Sequence, residues 1–62
     1  MRTITFRGID TKIYTLYAEK NKLNGNIMYW FSHNKTMFCR GFYDVIKQIK
    51  RNQEIINDVG EV

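Results

Sequence analysis

Two periodicities divide the chain. Through residue 40 the apolar and polar positions alternate with the period of two that strands require. From Phe42 the repeat lengthens to about 3.6, the period of a helix. Arg2–Ile9 places Ile4 and Phe6 on one side and Thr3, Thr5 and Arg7 on the other. Lys12–Lys20 is rich in Ile, Tyr, Thr and Leu, Asn26–Ser32 is dense in aromatics, and Thr36–Arg40 reads as a short fourth strand. Turn chemistry separates these windows: Asp10-Thr11, then Leu23-Asn24-Gly25-Asn26, whose Asn-Gly pair accepts positive φ angles, then His33-Asn34. Gly41 breaks the extended run. Beyond it, Phe42, Val45, Ile46, Ile49 and Ile56 fall on one side of a helix, with Lys47, Lys50, Arg51 and Glu54 on the other. Asp44 sits in its first turn, where a negative charge complements the helix dipole. The pattern predicts ββββα in a single domain over residues 1–62: strands near 2–9, 12–20, 26–32 and 36–40, and a helix near 42–57. The fold class is α+β, a four-stranded antiparallel meander with the C-terminal helix on one face.

Tight turns allow faces to be assigned, because paired residues share a side of the sheet. A two-residue turn at Asn24-Gly25 pairs Ala18 with Phe31 and Lys20 with Tyr29. One at Asp10-Thr11 pairs Phe6 with Thr15 and Ile4 with Tyr17, and one at His33-Asn34 pairs Trp30 with Met37 and Met28 with Cys39. These registers predict a core face of Ile4, Phe6, Ile13, Tyr17, Met28, Trp30, Met37 and Cys39 beneath the helix. The opposite face then carries Arg7, Tyr14, Lys20, Tyr29, Phe31, Phe38 and Arg40, a set of rings interleaved with cations. One helix cannot cover both faces.

With 62 residues, the chain belongs to a size class that buries only roughly 60% of its unfolded surface. Its single cysteine rules out an internal disulfide, and His33 with Cys39 does not make a zinc set. No metal or cofactor is predicted. Stability must come from the aromatic core or from a homodimer. The absence of disulfides, of a signal-like segment and of any apolar run approaching the roughly 20 residues that span a bilayer predicts a cytoplasmic protein without membrane contact. The formal charge is +4 and unevenly spread. All ten Lys/Arg lie within residues 1–51, whereas residues 52–62 carry Glu54, Asp58 and Glu61. A basic body favours an acidic partner such as nucleic acid.

Rings beside cations suit stacking on bases and neutralising phosphates. The expected function is therefore a small, non-catalytic regulator that binds nucleic acid, single-stranded DNA or RNA above all. Its candidate residues are Arg7, Tyr14, Lys20, Tyr29, Phe31, Phe38 and Arg40, with a secondary basic patch at Lys47, Lys50 and Arg51. The same residue types also make interface hot spots, so the alternative is a regulator or inhibitor of a bacterial protein, acting as a monomer or a homodimer. Catalysis has little to stand on: Ser32 and His33 are adjacent and point apart on a strand, no carboxylate pair is placed for acid–base work, and no phosphate-cradling glycine loop is present. In element order, ββββα resembles the fold of single-stranded-DNA-binding transcriptional coactivators, which dimerise. The opening Met1-Arg2-Thr3-Ile4-Thr5-Phe6-Arg7-Gly8-Ile9-Asp10 is similar to the start of YopX-type phage proteins, which often begin M-R-x-I-x-F-R-G-x-D. That resemblance covers ten residues and implies a bacterial or phage origin.

Overall fold

A computed structural model describes residues 1–38 and 40–62, and residues 34–38 by their backbone alone. The element order is β1 (Arg2–Arg7), β2 (Ile13–Lys20), β3 (Ile27–Phe31), β4 (Asn34–Phe38), α1 (Phe42–Asn52) and β5 (Glu54–Gly60). The class is α+β: β1 to β4 form an antiparallel meander and α1 lies on one face of it. The sheet gains a fifth strand beyond the helix, and its order is β4-β3-β2-β1-β5.

The helix expected to run to residue 57 ends at Asn52. Gln53 occupies the stripe position after Ile49, so one more turn would push a side-chain amide into the core. It turns extended instead, at φ −137° and ψ 157°, and its N–H donates to the Ile49 carbonyl at 2.8 Å. The β-branched Ile55, Ile56 and Val59 favour a strand, and the free edge of β1 offers them backbone partners. β5 takes that edge antiparallel, from Arg2↔Gly60 to Arg7↔Glu54. Ile56, assigned by periodicity to the helix stripe, is left over as the extra residue of a bulge between Asn57 and Ile55. Ile55 pairs with Phe6 and packs against the core.

Hairpin geometry decides which face the helix covers. The first loop holds three residues, Ile9-Asp10-Thr11, rather than two: the Gly8 N–H donates to the Lys12 carbonyl at 2.8 Å, and Thr11 adopts a φ of 68°. Pairing therefore runs Ile4↔Leu16 and Phe6↔Tyr14, one residue from the expected register. A one-residue shift turns β1 over relative to β2. The second loop spans Lys22–Gly25 between Asn21 and Asn26, with the Asn21 N–H donating to the Asn26 carbonyl at 2.7 Å. It pairs Ala18↔Tyr29 and Tyr17↔Trp30, two residues from the expected register, so faces are preserved. The third turn falls at Ser32-His33, with Phe31 opposite Asn34.

The outcome corrects the predicted core. Ile4, Phe6, Leu16, Ala18 and Tyr29 are buried beneath Phe42, Ile46 and Ile49 of α1, and Trp30, Tyr17, Met28 and Ile13 lie on the other side. The apolar stripe of α1 packs with this face into one core. Met37 and Phe38 side chains, and Cys39, lie outside the described residues.

Candidate functional site

The seven sheet-face candidates do not form one surface. Tyr14 and Phe31 are half-buried on the helix side, flanking Phe6 at ring distances of 5.9 and 6.2 Å. Tyr29 is a core residue. Its ring lies 5.7 Å from Phe42, and its hydroxyl donates to the Arg40 carbonyl at 3.0 Å, tying the segment before α1 to the sheet. Arg7 points the other way, beside Glu54 on the neighbouring strand at 3.4 Å. Lys20 is exposed at the end of β2, and Arg40 is exposed just before the helix. The Phe38 side chain lies outside the described residues. Lys47, Lys50 and Arg51 are exposed on the outer side of α1, as expected.

Two other places have the makings of a site. The first is the sheet face away from α1, which no described element covers. Thr3, Thr5, Thr15 and Arg7 share it with Ile13, Tyr17, Met28, Trp30 and Val59. At its centre the Tyr17 and Trp30 rings, directly paired across β2 and β3, stack at 5.7 Å with 21° between planes. Each ring shields one side of the other and leaves the rest half-exposed. Among the described residues, the charged groups of this face are Arg7, Glu19 and Glu54, and the arginine is already paired.

The second place is a cavity of about 830 Å³ between the tip of the first hairpin and the C-terminal half of α1. Phe6, Tyr14, Phe31, Val45 and Ile49 give it apolar walls, and Asp10, His33, Gln48, Asn52 and Gln53 bring polar groups to it. The hairpin supplies the first of these by local geometry. The Asp10 carboxylate accepts the Lys12 N–H at 3.1 Å, closing the turn, and accepts the Tyr14 hydroxyl with its other oxygen. That hydroxyl, with the Lys12 amide second, holds the Asp10 carboxyl below its ordinary range, and Asp10 raises the Tyr14 hydroxyl in return. His33 lies against Tyr14 at 4.5 Å and Phe31 at 5.6 Å. Gly8 makes room for this: a Cβ there would meet the Tyr14 ring at 2.6 Å.

Sequence reasoning places Asp10 and His33 in turns, where the structure has them, and gives no role to Gln48 or Gln53. The signal available for the hairpin is Gly8 three residues ahead of Thr11, the length of a three-residue loop with a left-handed closing residue. Nothing local links residues 8–14 to residues 48–53. Among the described residues, no group of three or more His, Cys, Asp or Glu could hold a metal ion, and no helix is long and apolar enough to cross a membrane. Comparison with protein-family profiles, with curated proteins and with solved structures finds no match for this chain.

Proposed function

We propose that the chain is a non-catalytic protein-binding module whose partner docks on the open sheet face. The observation that carries this reading is the stacked Tyr17–Trp30 pair, half-exposed on a face that no described element covers. Large, rigid rings in a flat surface with few charges are the material of interface anchors. The charge pattern argues for a protein over a polyanion on this face, because Glu19 and Glu54 outweigh the one paired arginine. Phosphate contact needs unpaired cations beside the rings. Among the described residues, the cations lie elsewhere.

Trp30 is the sole tryptophan, so its emission reports occupancy of this face directly. Titration with single-stranded DNA and RNA at low salt should leave that emission unchanged. A benzophenone side chain in place of Tyr17 should photocrosslink to a protein in cells, and the same group in place of Lys47 should not. Oligonucleotide quenching of Trp30 that falls steeply with salt would overturn the reading.

A second reading has its own support. The net charge of +4 and the exposed Arg40, Lys47, Lys50 and Arg51 favour nucleic-acid contact through the outer side of α1. Binding there would leave Trp30 emission unchanged, and each of Lys47→Ala and Arg51→Ala would reduce the salt slope by about one.

A further inference from the structure

We propose that the cavity between the first hairpin and α1 is a binding site for a small organic ammonium ion, a primary amine carried on an apolar body. It lies on the opposite side of the sheet from the open face and stands independently of the protein-binding reading. Its volume, about 830 Å³, is within the range of roughly 300–1,000 Å³ typical of small-molecule sites.

Charge selects the head group. Among the described residues that line the cavity, the one formal charge is the Asp10 carboxylate, and no lysine or arginine is present. Asp10 is exposed, so a ligand can reach it. The hairpin fixes its position through two neutral donors, the Lys12 N–H and the Tyr14 hydroxyl. No Lys or Arg forms an ion pair with it among the described residues. The charge of Lys12 does reach Asp10, but from outside the lining. A carboxylate offers about four lone-pair sites, which leaves acceptor capacity for an incoming N–H. The Tyr14 hydroxyl, foremost among the groups that lower the Asp10 carboxyl, keeps it charged. The rings beside it suit the same ion. Tyr14 and Phe31 lie 4.5 and 5.6 Å from His33. At that spacing one cation can come within about 6 Å of more than one ring centroid, where ring faces attract it. Val45 and Ile49 extend the apolar wall for the ligand's body. Phosphate and carboxylate ligands would meet repulsion from Asp10.

The test uses two probes of one shape, phenethylamine and phenethyl alcohol, which differ by the ammonium charge. In ¹H–¹⁵N spectra of the full chain at neutral pH, the amine should shift the Gly8 and Ile9 amides and the Gln48 and Asn52 side-chain signals. The Trp30 indole signal should stay in place. The alcohol should bind about tenfold more weakly, for want of the charge-assisted hydrogen bond and the attraction of cation to ring. Added salt should narrow that gap, because Asp10 is open to solvent. Asp10→Asn keeps the shape, removes the charge and should bring the amine down to the alcohol, whose own affinity stays unchanged. If that variant does not fold, the wild-type comparison still decides. Equal affinity of the wild-type protein for the two probes would overturn the proposal. So would an amine preference that survives Asp10→Asn, shifts confined to Trp30, or no shift at millimolar amine.

Discussion

Tyr29 and Trp30 are neighbours in sequence with opposite fates, and the difference can be measured. Tyr29 is buried with its hydroxyl committed to the Arg40 carbonyl, whereas Trp30 leans on Tyr17 in a half-exposed pair. Tyr29→Ala should cost about 3–5 kcal/mol and Tyr29→Phe about 1 kcal/mol, the worth of the lost hydrogen bond. Trp30→Ala should cost well under the first figure in the same urea titration followed by circular dichroism. Equal losses for Tyr29→Ala and Trp30→Ala would contradict the observed faces. A second residue-level pair makes stability depend on acid. Two nitrogens of the Arg2 guanidinium, Nε and Nη2, donate to Oδ1 and Oδ2 of Asp58, at 3.0 and 2.8 Å. That bonding lowers the Asp58 carboxyl, and the folded-state value lies below the unfolded one. The contribution is therefore complete above the unfolded pKa, near 3.9, and is lost as the pH falls through the depressed folded value. Asp58→Asn should cost about 0.5–1 kcal/mol at pH 7, as for a well-formed pair near the surface. The gap to wild type should close in thermal unfolding as the pH falls through that depressed value.

At the scale of elements, the first hairpin loop governs the register of the sheet. Thr11 holds a left-handed φ of 68°, unfavourable for a β-branched residue, because the three-residue loop requires it. Thr11→Gly should relieve that cost and raise stability by about 0.5–1 kcal/mol. An unchanged or lower midpoint in denaturant would remove the idea of strain there. Gly8→Ala should do the opposite. Its methyl group would displace the Tyr14 ring and the Asp10 carboxylate, so the midpoint in denaturant should fall. The fifth strand is the element least legible in the sequence. Glu54–Gly60 has a helical residue stripe only if Gln53 is ignored, and its partner strand β1 lies at the other end of the chain. The polar break at Gln53 and the three β-branched residues after it were the available signs.

For the molecule as a whole, one helix and five strands leave one sheet face uncovered by any described element. An apolar face with few charges should pair weakly with a second copy when no partner is present, through a contact that repeats residue for residue about a two-fold axis. Sedimentation at rising concentration should show a dimer, and Trp30→Lys should return it to monomer without loss of helix signal. A dimer that survives Trp30→Lys would move the contact away from this face. The net charge places its own demand on the rest of the surface. The exposed Lys47, Lys50 and Arg51 keep the outer side of α1 solvated in the free protein.

The alternation of residues 2–31 and the lengthened repeat from Phe42 determined the meander, its strands and the start of the helix, because side-chain periodicity is a local property of each backbone geometry. The parity of β2 with β3 was also local: an error of two residues in a loop leaves every side chain on its own face. The parity of β1 with β2 was not, since one residue more in the loop at Asp10 turns Ile4 and Phe6 to the other side. That choice belongs to the tertiary structure. Burying Leu16, Ala18 and Tyr29 together with Ile4 and Phe6 under one helix brings the aliphatic side chains into a single core. Ending α1 at Asn52 then lets β5 cover the free backbone of β1. The same choice sent Trp30 outward, and it brought Asp10, Tyr14 and His33 to the end of a helix whose last turn lies more than thirty positions away from Tyr14 along the chain.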